Sequence, residues 1–254
     1  MTKHPQKNTI FSTTENMYRH IQKEAPPMNQ PDWFQAEAAL QQIQVIGSDR
    51  NELVNIIGET AGVNCIGIGT DAAVFRYDLL PQYAFKMYSD HALDKLNNEK
   101  QVYAQLKGLP YFPTYYGSGR NILVISYEPG DTLLECLEKG IPVPEQVMLD
   151  VDAAREAVRR LGLNPRDIHL KNVLLQNGRG KVLDVSEYIQ EGDDHRWEHL
   201  VWAYHNIYPS IEGTPISPRM LQTIKWTYNQ FDQANLKMEN LSRKANRLLS
   251  KFLK

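Results

Sequence analysis

Residues 164–186 carry most of the constraint in this chain. They read NPRDIHLKNVLL, then QNGRG, then KVLDVS. Two short apolar runs, NVLLQ and KVLDV, flank the turn NGRG, which is the pattern of a β-hairpin. Asp167, His169 and Asn172 are packed into the loop before the first run. Asp184 closes the second run, twelve residues after Asn172 (184 − 172). Such a loop can set one carboxylate at an acceptor hydroxyl and one amide oxygen on a metal. A carboxylate at the strand end adds a hard oxygen donor suited to Mg²⁺.

Upstream of the hairpin, strands come first and helices after. Residues 1–31 are polar and contain four prolines, a loosely ordered arm by composition. In PDWFQAEAALQQIQVIG, Asp32 is placed to cap a helix, with Trp33, Ala36, Leu40 and Ile43 on one face. VNIIG, NCIGIG, AAVFRYD and YAFKMY then read as short strands. Residues 90–107 read as a helix capped by Asp90. ILVISY is a strand stopped at Pro129-Gly130, and TLLECLEKG a helix ending at Gly140. A longer helix follows, PEQVMLDVDAAREAVRRLG, with Val147, Val151, Ala154, Val158 and Leu161 on one stripe. Residues 195–254 read as helices interrupted near Pro209, Pro215 and Pro218. This order predicts an α+β fold in two layers or lobes.

Two further pieces precede the hairpin. Gly67 and Gly69 lie in IGIGTDAAV between two strands, where glycine lets backbone N–H groups approach phosphate oxygens; a plain tight hairpin explains the same glycines. Ala84-Phe85-Lys86 closes the next strand. A lysine there can snorkel outward; in a phosphate site it needs a carboxylate partner, and Glu99 in the following helix is the candidate.

In this order the chain resembles the protein-kinase-like superfamily: Gly-rich loop, strand lysine, helix glutamate, linking strand, D-x-x-x-x-N loop, hairpin, metal aspartate. The resemblance spans residues 60–205 and is closest to compact bacterial Ser/Thr-kinase-like proteins. It implies a two-lobed fold, with a small β-rich N-lobe over 59–126 and a reduced, mainly helical C-lobe over 127–210. Residues 1–31 form an N-terminal arm, 32–58 an extension and 211–254 a basic helical segment in this division. It implies ATP and Mg²⁺ as cofactors. Lys86 would meet the α- and β-phosphates and pair with Glu99, and Asp167 would act as the base. Asn172 and Asp184 would hold the metal. Gly67, Gly69, Ala84 and the backbone at Ser126 and Glu128 would bind the nucleotide, with Ile125 beside the adenine. The expected activity is phosphoryl transfer to a protein serine or threonine. The alternatives are a kinase-fold binding module and a small-molecule kinase of the aminoglycoside type, the latter favoured by His169.

The departures from the family pattern are informative. His-Arg-Asp becomes Pro165-Arg166-Asp167, and Asp-Phe-Gly becomes Asp184-Val185-Ser186. Ala-Pro-Glu does not occur, and 70 residues follow Asp184 (254 − 184). A long phosphorylated loop is therefore not expected, which leaves Arg166 without a phosphate partner. His169 stands where common Ser/Thr kinases have lysine.

The remaining signals are weaker. A net charge of −2 argues against a protein that coats nucleic acid, so none is expected as a partner. Cys65 and Cys136 lack CxxC spacing and suit a reducing, cytoplasmic setting. His195 and His199 share an i, i+4 spacing but lack a recognisable third ligand. The resemblance implies that this segment begins the helix supporting the catalytic loop, with Asp193 or Asp194 bracing that loop by hydrogen bonds. Tyr111, Phe112, Tyr115 and Tyr116 read as core and edge packing. The basic tail 235–254 reads as a docked helix, or as a contact for a partner protein or a membrane surface.

Overall fold

The computed structural model describes residues 31–48, 50 and 52–230. The expectations for the N-terminal arm and the basic tail lie outside them. A 3-10 turn, Asp32–Ala36, runs into α1 (Glu37–Leu40) and then into a two-stranded ribbon, β1 (Gln44–Ile46) and β2 (Asn55–Ile57). The main sheet follows: β3 (Val63–Ile68), β4 (Ala72–Tyr77), β5 (Tyr83–Tyr88), β6 (Tyr115–Ser118) and β7 (Ile122–Ser126). It is antiparallel throughout, in the order β3-β4-β5-β7-β6. Helix α2 (Leu93–Gln105) is inserted between β5 and β6.

The second layer holds β8 (Asp131–Thr132), α3 (Leu133–Lys139), α4 (Glu145–Arg160), the hairpin β9 (Val173–Gln176) and β10 (Arg179–Val182), α5 (Arg196–Asn206) and α6 (Pro218–Asn229). Asn177 (φ 51°) and Gly178 (φ 78°) make the hairpin turn, both in the left-handed conformation that a two-residue loop of this type needs. Among the described residues, no helix is long and apolar enough to cross a membrane.

The period of two along the central strands divides their side chains between two cores. Phe85, Met87 and Val124 face the N-terminal strap and pack with Trp33, Ala36, Leu40, Ile43, Val45 and Val54. Ala84, Tyr88, Leu123 and Ile125 face the other way. They share a core with Leu96 and Val102 of α2, with Val147, Val151, Ala154 and Val158 of α4, and with Trp197. At Gly117 a Cβ would lie 2.8 Å from the Trp33 ring, so the bare backbone there admits the indole.

Three local expectations are corrected. Asp32 caps no helix: its carboxylate accepts hydrogen bonds from the Tyr83 hydroxyl and from Gln82 Nε2 (3.4 Å). Asp90 is no cap either; it opens a 3-10 turn and α2 starts after Ala92 without a side-chain cap. Leu161 lies beyond α4 and is 43% exposed, off the buried stripe. The expected interruption near Pro218 is present: the proline starts α6, where its missing N–H costs nothing.

Candidate active site

Lys86 lies in β5, with two strand residues still to follow, and projects from the middle of the sheet. Its Nζ donates to Glu99 Oε2 at 2.8 Å and to Asp184 Oδ2 at 3.1 Å. Glu99 is fully buried on α2 and also accepts from the Tyr88 hydroxyl. Burial opposes the Lys86 charge, but Asp184 and Glu99 together hold its pKa above the ordinary value. Burial pushes the Glu99 carboxyl up against the pull of Lys86. For Asp184 burial also works against ionisation, yet Lys86 and the Ser186 N–H (3.0 Å) lower its pKa to about 2. Asp184 lies two residues past the end of β10, anchored on that side by the Leu183 N–H to the Asn172 carbonyl (2.8 Å).

Asp167 has φ 56°, a left-handed conformation that aspartate tolerates better than most residues. Its backbone is held on both sides. Its N–H donates to Asp194 Oδ2 at 2.7 Å, so of the two acidic residues expected to brace the loop, Asp194 does so. Its carbonyl accepts from Asn172 Nδ2 at 3.0 Å. Its carboxylate Oδ1 accepts from Arg196 Nη1. Burial raises the Asp167 carboxyl to about 6, with Arg196 opposing and Asp184, Asp194 and Glu187 adding to the rise. His169 Nε2 is 3.9 Å from Asp167 Oδ1. Burial, together with Arg196, lowers the His169 pKa to about 4.

The donor set suits Mg²⁺. Because Asn172 spends its Nδ2 on the Asp167 carbonyl, its amide oxygen is the free end. Asp184 supplies a half-buried carboxylate that Lys86 and the Ser186 N–H keep ionised. Hard oxygens of this kind are what this cation takes, with water and phosphate completing its shell, and the two segments that carry them are joined by the Leu183 N–H to the Asn172 carbonyl.

The sequence-derived residues are distributed as follows. Lys86, Glu99 and Asp184 are in direct contact, and Asn172 and Asp167 are joined through the loop. Gly67 lies within β3 and Gly69 opens the β3–β4 turn, closed by the Gly69 N–H to the Ala72 carbonyl at 2.9 Å, and a β-bulge falls between Cys65 and Gly67. Ala84 pairs with Ile125 across β5 and β7. The Ser126 N–H is committed to the Thr114 carbonyl (2.8 Å), and its hydroxyl donates to Glu128 Oε1 (2.5 Å). The other oxygen of Glu128 accepts from Lys181 Nζ (2.7 Å) and Gln176 Nε2 (3.2 Å), which ties the link between the layers to the β9–β10 hairpin.

Several contacts had no sequence signal. Lys95 of α2 reaches Asp71 in the glycine-flanked turn at 2.8 Å and Glu187 at 3.8 Å. Arg166 donates to the Glu191 carbonyl, and Asn164 Nδ2 to the carbonyls of Gln190 and Gly192, both at 2.7 Å. The short segment after Asp184 is thus fixed by backbone contacts to Arg166 and Asn164. His195 and His199 do not share a ligand position: His199 Nδ1 meets the Tyr228 hydroxyl at 2.7 Å. His195 lies instead with Asp193 and Glu198, their candidate ligand atoms within 4.8 Å of one another.

A β-sheet lysine clamped between a helix glutamate and a loop aspartate, above a loop that presents Asp167 and Asn172, defines a protein-kinase-like fold. The comparisons agree with the geometry. No protein-family model matches the chain. Over 158 residues it is 32% identical to the Bacillus subtilis (strain 168) protein named "Putative serine/threonine-protein kinase YrzF", covering 61% of this chain and 72% of that one. This chain belongs to the same kinase-like family.

Proposed function

We propose that the protein transfers the γ-phosphoryl group of Mg²⁺-bound ATP to a serine or threonine hydroxyl of a protein acceptor. The observation that carries the reading is Lys86 Nζ bonded at once to Glu99 (2.8 Å) and Asp184 (3.1 Å). A lysine so placed is aimed and charged for phosphate, and the metal aspartate beside it is ionised. In the reaction the acceptor oxygen forms a bond to the γ-phosphorus while the bond to the β–γ bridging oxygen breaks. That electron pair leaves on ADP, and the hydroxyl proton passes to the Asp167 carboxylate. Mg²⁺ neutralises phosphate charge and orients the chain of phosphates when bound. Asn172 and Asp184 would hold it, and Lys86 would orient the α- and β-phosphates, so catalysis is positioning and charge neutralisation. The name of the Bacillus relative supports a protein acceptor.

The test is transfer from γ-labelled ATP with Mg²⁺, wild type beside Asp167→Asn, scored on the protein itself and on a generic protein acceptor. Label with wild type and at least about a hundredfold less with the variant is the expected result. Folded wild type that labels no protein overturns the reading.

A further inference from the structure

Negative charge spreads over the equatorial oxygens of a phosphoryl group in flight. An arginine that meets it there is worth about a thousandfold to a hundred-thousandfold in rate. On the nucleotide side the positive charge comes from Lys86 and from the Mg²⁺ that Asn172 and Asp184 would hold. On the acceptor side the loop itself offers little. His169 Nδ1 accepts the Lys171 N–H at 3.2 Å, so that nitrogen carries no proton and the ring is neutral. Arg166 is turned away to the Glu191 carbonyl. Lys171 is exposed.

Arg196 is the cation bonded to the Asp167 carboxylate, while Lys225 and Lys171 lie near enough to act on His169 through their charge. The arginine opens α5, two residues after Asp194, and bonds Asp167 Oδ1 through Nη1. Its Nε stands 3.8 Å from Asp194 Oδ2, and its side chain is 38% exposed. A guanidinium carries five N–H donors in one plane. One of them on Oδ1 leaves others for phosphoryl oxygens. Among the described residues Asp167 Oδ2 has no hydrogen-bond donor, so it stays open to a hydroxyl proton. The Asp167 backbone is fixed by Asp194 and Asn172 independently of Arg196, whose own contact is with the carboxylate.

We propose that Arg196 supplies the positive charge at the transfer point, reaching from α5 to the carboxylate of the proposed base. This rests on the phosphotransferase reading above. The hydroxyl oxygen bonds to the γ-phosphorus, its proton goes to Asp167, and the leaving pair goes to ADP. Arg196 holds the equatorial oxygens and exchanges no atom.

Four proteins test it: wild type, Arg196→Ala, Arg196→Lys, and Arg196→Ala combined with His169→Lys, which moves the cation into the loop. The expected kcat of Arg196→Ala is lower by about a hundredfold to a thousandfold, with the KM for ATP within about threefold of wild type. Arg196→Lys falls between them. The double variant recovers at least about tenfold over Arg196→Ala. A readout without turnover accompanies the rates. Binding of Mg·ADP with aluminium fluoride, a mimic of the group in flight, should lose its gain over Mg·ADP alone in Arg196→Ala, while Mg·ADP binding is kept. Arg196→Ala with kcat within about threefold of wild type overturns the proposal. So does a loss of rate that accompanies a lower melting temperature and weaker Mg·ADP binding, without recovery by His169→Lys, since that is the mark of a brace. Wild type that transfers nothing overturns the phosphotransferase reading itself, so the two failures are told apart.

Discussion

At the scale of single residues, Asp167 is where conformation and charge meet. Its left-handed backbone is tolerated by aspartate and asparagine, whereas other side chains meet a cost of roughly 1–2 kcal/mol there. Asp167→Asn therefore removes the proposed base while leaving the loop its shape, and is the cleaner probe than alanine. Burial raises the carboxyl to about 6, with Arg196 holding it from rising further. A proton acceptor must be ionised, so the sign is fixed: the rate is full above this value and falls as pH drops through it. We expect kcat/KM for phosphoryl transfer to lose about tenfold per pH unit below about pH 6 and to level off above it. A pH–rate profile of the wild type checks this. A profile flat from pH 5 to 8 would remove Asp167 from the role of base.

At the scale of elements, Lys95 joins three pieces that are separate in sequence. It sits on α2, four residues before Glu99, and binds Asp71 in the glycine-flanked turn and Glu187 in the segment after Asp184. With a lysine side chain 43% exposed, such pairs contribute at most about 1 kcal/mol to stability. Their larger effect is on position, because the turn that would meet phosphate is held against the helix that carries Glu99. Lys95→Ala should leave the denaturation midpoint nearly unchanged and raise the KM for ATP by about three- to tenfold. Steady-state kinetics beside urea denaturation tests it, and an unchanged KM would show that the tie has no role in nucleotide binding. The Lys95 contacts also show where a sequence stops being legible. The β9–β10 hairpin was readable from its turn, the α4 stripe from its period, and the Lys86–Glu99 pair from the resemblance. Each depends on spacing along one stretch of chain. Lys95 to Asp71 and Arg196 to Asp167 join surface-like charges across 24 and 29 residues and leave no periodic trace. The missing cap at Asp32 shares this cause, since its carboxylate is drawn away from its own helix by Tyr83, 51 residues on.

For the whole molecule, the question is whether the strap, the sheet and the helical layer unfold as one. Trp33 is 7% exposed, lies against Gly117 and belongs to the cluster of Phe85 and Met87, the residues on either side of Lys86. The opposite side chains of the same strands, Ala84 and Tyr88 of β5 and Leu123 and Ile125 of β7, are built into the core that contains Val147, Val151 and Trp197. One sheet is thus the shared wall of both cores, and loosening one face disturbs the other. Trp33→Ala removes a large buried ring and should cost about 3–5 kcal/mol. Because the wall is shared, that loss should appear in a single transition. Circular dichroism and the fluorescence of the remaining tryptophans, Trp197 buried in the second layer among them, should shift to one lower midpoint together. A fluorescence transition that kept the wild-type midpoint while the dichroism signal moved would show instead that the helical layer holds its structure without the strap and the sheet.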